Sequence, residues 1–259
     1  MGLAHGAGAP GAHEGGLVTP DSPHASAFVP GLGFRQGKLV ARGGPVRAVI
    51  VHTTGGGILA RFRREGAAKG DADPFDTAVR VYTRIMVDSG HYVVGQRLGQ
   101  ITQVVPESHV ARHVGSAGSV PYLRTAPWHP PRVAQRYAWW HERWPGVASP
   151  RDLAGGHLWD VGQAVPGRIA KASCNAQTIG LEVVPPLEGA TCAWSAECWQ
   201  NLAALIPDIT DRHDLPLARS YVVTHSDAHP LSRTTPKGEP WDTAPTQWTW
   251  EKFSAAVSA

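Results

Sequence analysis

The hydrophobic positions of the chain fall into short β-branched runs separated by segments with helical periodicity. Runs rich in Val, Ile and Leu occupy residues 46–52, 178–184 and 220–225, and their lengths are typical of buried strands. Residues 90–94 and 100–105 flank a glycine-containing loop of hairpin length. The pattern therefore predicts a buried sheet that includes one hairpin.

Apolar residues with helical spacing predict helices after Asp76, from Ser195 to about His213, and from Gln247 to the end of the sequence. Another helix is predicted near residues 133–144. Strands that alternate with helices around an internal hairpin predict an α/β fold, in which a central mixed β-sheet is flanked by helices.

Two segments depart from this alternation. Residues 1–30 are rich in Gly, Ala and Pro without periodicity, which predicts a flexible arm before a single domain of residues 31–259. Residues 119–173 are dense in Trp, Pro and His and are interpreted as an insertion packed over the core. Their aromatic rings either line a sugar-binding groove or fill a small core of their own.

The charge and hydropathy of the chain argue against a nucleic-acid-binding protein and against a membrane-spanning one. The net charge of +3 at pH 7, without a basic run of five residues, argues against nucleic acid as a partner. No apolar run reaches the length of a membrane span, and the first residues lack the features of a secretory signal. We therefore expect a protein of the cytoplasm, or one that leaves it by a route other than a cleaved signal. Cys192 and Cys198 are either bridged or free.

Two of the strand-like runs end in a histidine, His52 and His225. Imidazoles mounted at strand ends are held by the scaffold, as a zinc site requires. A third ligand is expected downstream of the second histidine, where four side chains are candidates: Asp227, His229, Glu239 and Asp242. Asp242 looks best placed to return to the metal, whereas Asp227 is so near His225 that it suits a supporting role.

Glu182 is the one acidic residue of the run 178–184. On an alternating strand it either faces solvent or lies inside a cleft. Burial in a cleft would raise its pKa toward the range that a general base needs near neutral pH. The strand pattern alone leaves both interpretations open.

Four motifs occur in order along the chain: VIVHTTGG from residue 49, GHYVVGQRLGQITQVVPE with ARHVG from residue 90, NAQTIGLEVV from residue 175, and VVTHSD followed by WD from residue 222. Over about residues 46–115 and 174–253 the chain thereby resembles the zinc-dependent N-acetylmuramoyl-L-alanine amidases of the amidase-2 type, a superfamily that includes peptidoglycan recognition proteins and phage amidase lysozymes. The resemblance implies the amidase-2 fold, an α/β fold with a central mixed β-sheet flanked by helices. It also implies a peptidoglycan or muropeptide substrate and hydrolysis of the amide bond between N-acetylmuramic acid and L-alanine.

The resemblance also implies roles for the histidines and the glutamate. His52 and His225 are expected to bind Zn²⁺, and Glu182 is expected to be the general base that activates zinc-bound water. Further matching positions are expected to bind substrate: Thr53, His91, Tyr92, His113 and Asn175.

The chain departs from the family pattern after its second histidine. The position of the family's last zinc ligand holds Thr235, so the ligand is assigned to Asp242 with residues 236–240 as a loop extension. Arg233 stands at the family's lysine position and, with Lys237 as a second candidate, is expected to stabilise the oxyanion.

The alternative to an enzyme is a non-catalytic peptidoglycan-binding module on the same scaffold, because such members typically lose a zinc ligand. A peptidase acting within the stem peptide is a third interpretation. Since candidates for every ligand and for the base are present, an amidase is favoured. Its cellular role is open among muropeptide recycling, phage-type lysis and a secreted toxin.

Overall fold

The structure is a computed structural model that describes residues 19–54, 73–87, 89–114, 174–189, 192–219, 221–225, 242–243 and 246–259. Six strands lie in these ranges: β1 (Ala27–Phe28), β2 (Ala48–Thr53), β3 (Tyr92–Val94), β4 (Ile101–Gln103), β5 (Thr178–Val183) and β6 (Val222–Thr224). Four α-helices accompany them: α1 (Leu32–Arg35), α2 (Pro74–Arg84), α3 (Ala196–Arg212) and α4 (Trp250–Ser258).

The strands form one mixed sheet in the order β1-β4-β3-β5-β2-β6. The hairpin pair β3–β4 is antiparallel, and the other neighbouring strands are parallel. The predicted α/β fold with a central mixed sheet is confirmed, and the predicted hairpin lies within it.

Helices cover both faces of the sheet. On one face, residues of α3 and α4 pack against alternate residues of β2 and β5, including Val49, Val51 and Leu181. On the other face, α2 contributes Phe75, Ala78, Val81 and Tyr82 to a second apolar cluster with Val93 of β3. The central strands are therefore buried on both faces, which explains why they read as continuous apolar runs.

Helix α2 begins earlier than the sequence pattern predicts. Asp73 caps it by accepting a hydrogen bond from the Phe75 amide (2.9 Å), and Pro74 occupies the first turn. A capping carboxylate followed by proline is a standard helix start, because it satisfies an amide that lacks an intrahelical partner. Ser195 caps α3 in the same way, through the Cys198 amide.

The edge strand β1 lies inside the segment that the sequence predicts to be a flexible arm. Ala27 and Phe28 pair in parallel with β4, and the flanking amides of Ser26 and Val29 donate to Ile101 and Gln103 (2.8 and 2.9 Å). Thus at least residues 26–29 of the predicted arm belong to the sheet. A two-residue strand is too short to show periodicity.

Some predictions concern residues outside the described ranges, namely the helix near 133–144 and the insertion at 119–173. Cys192 and Cys198 are described, and both are free thiols. No helix in the described part of the chain has both the length and the hydropathy needed to cross a membrane.

Candidate metal centre

The two predicted histidine ligands meet at the carboxyl-terminal edge of the sheet. His52 lies near the end of β2, and His225 directly follows β6. These strands are parallel neighbours with Val51 paired to Thr224, so the next residue of each strand is a histidine. The two imidazole centroids are 4.4 Å apart. Parallel strands bring their carboxyl ends to one edge, which is why the sequence could predict this pairing.

Asp242 joins the pair from the far C-terminal part of the chain. Its Oδ2 lies 2.8 Å from Nδ1 of His225 and 3.9 Å from Nδ1 of His52. Its Oδ1 accepts hydrogen bonds from the Thr53 amide (3.0 Å) and the Thr243 hydroxyl (3.2 Å). One carboxylate oxygen is thus anchored by the fold while the other faces both imidazoles.

These three side chains can hold a divalent metal ion. All are buried, and one ligand atom from each lies within 4.8 Å of the others. Burial alone would raise the pKa of Asp242, but the hydrogen bond and charge of His225 and the charge of His52 lower it to about 2. The group therefore offers two imidazoles and a carboxylate, a donor set that binds zinc and related metals. The three predicted ligands are brought together; Asp227, His229 and Glu239 lie outside the described residues.

Glu182 lies beside the histidine pair on the same face of the sheet. It is paired in register with His52 across β5 and β2, and its side chain is buried. Its Oε2 accepts a hydrogen bond from the Tyr82 hydroxyl of α2 (3.1 Å). Glu182, His52 and His225 therefore form a row across three adjacent strands, and the side chain of Glu182 is buried rather than facing solvent.

Tyr82 is a site residue that the sequence interpretation missed. Tyr82 lies on the apolar face of α2, so helical spacing predicts only that it is buried and not that it contacts Glu182. Burial, followed by the charge and hydrogen bond of Glu182, raises the pKa of Tyr82 well above its ordinary value, so the phenol stays protonated and donates. The only available clue was general: a buried tyrosine hydroxyl usually has a polar partner.

His113 lies behind His52 rather than at an open surface. Its Nδ1 is 2.8 Å from Nε2 of His52, and its Nε2 is 3.1 Å from the Thr178 hydroxyl. The Asn175 Oδ1 accepts from the amides of His113 and Val114, and its Nδ2 donates to the Val114 carbonyl. Both His113 and Asn175 are buried, so the structure places these predicted substrate-binding residues inside the protein.

The other residues predicted to bind substrate are also engaged in the interior. Nδ1 of His91 accepts from the Gly180 amide (3.0 Å), and burial together with the Arg42 charge lowers the pKa of His91 to about 3. The Thr53 hydroxyl lies 3.0 Å from Oε1 of Gln247.

Tyr92 alternates to the sheet face away from Glu182 and donates to Oε1 of Glu107 (2.7 Å). Tyr92, which the sequence predicts to bind substrate, is therefore buried in the apolar cluster on the opposite face of the sheet from Glu182. Arg233 and Lys237, the predicted oxyanion cations, lie outside the described residues.

Comparisons with known proteins agree with the sequence motifs. A sequence model of the Amidase_2 family, described as N-acetylmuramoyl-L-alanine amidase, matches residues 42–239. No curated protein sequence matches the chain.

The solved structures that are similar to this chain include the following three, all at low identity. A structure described as a Se-Met AmpD derivative is 20% identical, with 93% of this chain and 99% of that chain covered and a TM-score of 0.45. The Endolysine N-acetylmuramoyl-L-alanine amidase LysCS from Clostridium intestinale is 12% identical, with 85% and 88% covered and a TM-score of 0.39. A mutant endolysin from Bacillus subtilis is 16% identical, with 93% and 94% covered and a TM-score of 0.35.

Proposed function

Because this chain belongs to the Amidase_2 family of N-acetylmuramoyl-L-alanine amidases, we propose that it cleaves the amide bond between N-acetylmuramic acid and L-alanine of the peptidoglycan stem peptide, with zinc as its metal. The observation that carries this proposal is the buried set of His52, His225 and Asp242 with Glu182 in the adjacent register position. A module that only binds peptidoglycan has no need of a complete ligand set beside a buried carboxylate.

The ligand set supports zinc in a catalytic role. Two neutral imidazoles and one carboxylate give three protein ligands, the usual number in catalytic zinc sites, where a fourth position is left for water or substrate. Zinc would supply Lewis-acid polarisation of the scissile carbonyl and of the attacking water. His52 and His225 are fixed by paired strands, so the ligands are preorganised.

We assign Glu182 as the general base. It would accept the proton of the attacking water and deliver it to the leaving nitrogen of L-alanine, a role that typically contributes about 10²–10⁴-fold to rate. The Tyr82 hydroxyl holds one of its oxygens, which fixes the orientation of the carboxylate next to His52. Arg233, with Lys237 as the alternative, is proposed to stabilise the oxyanion.

The proposal is tested by measuring metal content and stem-peptide release in the same samples. Wild type is expected to contain about one zinc per chain and to release peptides that begin with L-alanine from purified peptidoglycan. Glu182→Gln should keep the zinc and lose about 10²–10⁴-fold in rate, because the amide cannot accept the proton. Glu188→Gln, at an exposed acid on the loop after β5, is the matched control and should match wild type.

The products separate the alternatives. Cleavage within the stem peptide, with L-alanine still attached to the sugar, would identify a peptidase. Zinc-free wild type that releases nothing even after zinc is added would contradict the amidase assignment and leave a binding module.

A further inference from the structure

We propose that His113 is a positioning residue of the metal centre, which accepts the Nε2 proton of His52 and thereby fixes the tautomer and ring orientation of that ligand. The inference rests on the proposed function in one respect, that His52 binds a metal. It assigns to His113 a role different from the substrate contact that the sequence predicts.

The first step is the tautomer of His52. Its Nδ1 faces the carboxylate of Asp242 (3.9 Å), while its Nε2 faces Nδ1 of His113 (2.8 Å). A nitrogen that binds a metal must present a lone pair, so a neutral His52 bound through Nδ1 carries its one ring proton on Nε2. That proton then points at His113, which has to accept it.

The second step is the tautomer of His113 itself. An imidazole that accepts at Nδ1 carries its own proton on Nε2, where the Thr178 hydroxyl lies 3.1 Å away as an acceptor. One assignment of protons therefore satisfies both contacts: His52 donates to His113, and His113 donates to Thr178.

The third step is the cradle that holds the ring. Asn175 pins the backbone of residues 113–114 from both sides, through two accepted bonds and one donated bond. Gly180 makes room for the imidazole, since a Cβ at this position would lie 2.3 Å from Cγ of His113. The ring thus fills the place of the missing side chain on β5, between Thr178 and Glu182 on the same strand face. A residue that only filled space would not need a partner at each ring nitrogen.

The consequence concerns metal affinity. A histidine ligand usually donates its other ring proton to a carboxylate or carbonyl, which orients the ring and raises its basicity, and loss of such a partner typically lowers metal affinity about 10–100-fold. Here the acceptor is a second neutral imidazole. His113 should therefore influence how tightly zinc is held while touching neither zinc nor substrate.

The test compares His113→Leu with His113→Asn in the full chain. Leucine has a similar size but no acceptor, whereas the Asn Oδ1 stands near the position of Nδ1 and can accept from His52. Zinc affinity is measured by chelator competition, the ligand field by the visible spectrum of the cobalt-substituted protein, and folding by the melting temperature of the metal-free form.

We expect His113→Leu to lose about 10–100-fold in zinc affinity with an altered cobalt spectrum, and His113→Asn to recover most of the affinity. His109→Leu is the control, because that ring packs on Phe34 instead of His52. Wild-type affinity in a folded His113→Leu would overturn the proposal. Equal losses in the Leu and Asn variants would also overturn it, because they would show that the ring only fills space.

These outcomes are distinct from a failure of the proposed function. Wild type that binds zinc but releases no stem peptide would overturn the amidase proposal alone, and the affinity series would still decide the role of His113. Wild type without affinity for zinc would overturn both.

Discussion

Asp242 divides its two carboxylate oxygens between the fold and the metal centre. Oδ1 is held by the Thr53 amide and the Thr243 hydroxyl, so Oδ2 is presented to His52 and His225 at a fixed angle. A ligand that is itself hydrogen-bonded costs little further ordering when the metal binds. This arrangement supports Asp242 as the third ligand of the candidate metal centre.

Removing this carboxylate should remove the metal. We expect Asp242→Ala to retain less than about a tenth of the wild-type zinc, because two imidazoles alone make an incomplete site. Thr235→Ala, at the position where the family pattern has its last ligand, should keep its zinc. Elemental analysis after gel filtration measures both. The opposite result, zinc lost with Thr235→Ala and kept with Asp242→Ala, would move the third ligand back to the family position.

At the scale of single residues, the sequence predicts the position of a residue well when the residue belongs to a motif and also lies at the end of a predicted strand. His52, His225 and Glu182 fall in that class, because the same β-branched runs set their place on the sheet. The directions of His113 and Tyr92 could not be predicted, because a motif says that a residue is near a site and not which way its side chain points. The sequence favours Asp242 among four downstream candidates, but its contact with the Thr53 amide joins segments that are remote in sequence and could not be predicted.

At the scale of elements, one buried carboxylate joins β3, α3 and the loop after β4. Glu107 accepts from Tyr92 (2.7 Å) and Arg212 (3.0 Å to Nη2), and lies 2.7 Å from Nε2 of His213. Its amide donates to Asp21 (2.7 Å), which ties in the segment before β1. Burial alone would raise the pKa of Glu107, but its bonds to His213, Arg212 and Tyr92 lower it to about 2.

This cluster predicts a specific acid sensitivity. A carboxyl whose pKa is lower in the folded than in the unfolded state stabilises the fold above its unfolded pKa and loses that contribution as pH falls. The shift from 4.5 to about 2 corresponds to about 3 kcal/mol. We therefore expect the free energy of unfolding of the metal-free protein to fall between about pH 5 and pH 2 by roughly this amount more in wild type than in Glu107→Gln.

Urea titrations across this pH range measure the difference, and Glu188→Gln is the control because its carboxylate is exposed. Glu107→Gln should already be less stable than wild type at pH 7, since the half-buried Arg212 guanidinium loses its carboxylate partner. Parallel pH profiles for wild type and Glu107→Gln would contradict the assignment.

Elements differ in how much of them the sequence reveals. Strands β2 and β5 could be predicted because each is buried on both faces over six residues. Strand β1 could not, because its two residues owe their conformation to hydrogen bonds with β4 that are remote in sequence. The start of α2 was predicted a few residues late, since the cap at Asp73 and Pro74 precedes the periodic positions.

At the scale of the whole molecule, the candidate metal centre brings together residues that are far apart in the sequence. Its ligands come from positions 52, 225 and 242, so an ion bound there links strand β2 to its neighbour β6 at the edge of the sheet and to the segment that leads into α4. The bond of the Thr53 amide to Asp242 and that of its hydroxyl to Gln247 make the same connection without metal. Metal binding should therefore stabilise the fold rather than only complete a surface site.

Removal of zinc should lower the melting temperature. A ligand that binds only the folded state at about 100 times its Kd adds about 2.7 kcal/mol, which for a chain of 259 residues corresponds to about 5–10 °C. Calorimetry of wild type with and without a chelator measures the shift, and Asp242→Ala should show none because it has no metal to lose. If the chelator strips zinc from wild type and the melting temperature stays the same, the ion does not join these elements, and the hydrogen bonds of Thr53 and Thr243 with the core packing of Trp248 and Phe253 hold the C-terminal segment against β2 without it.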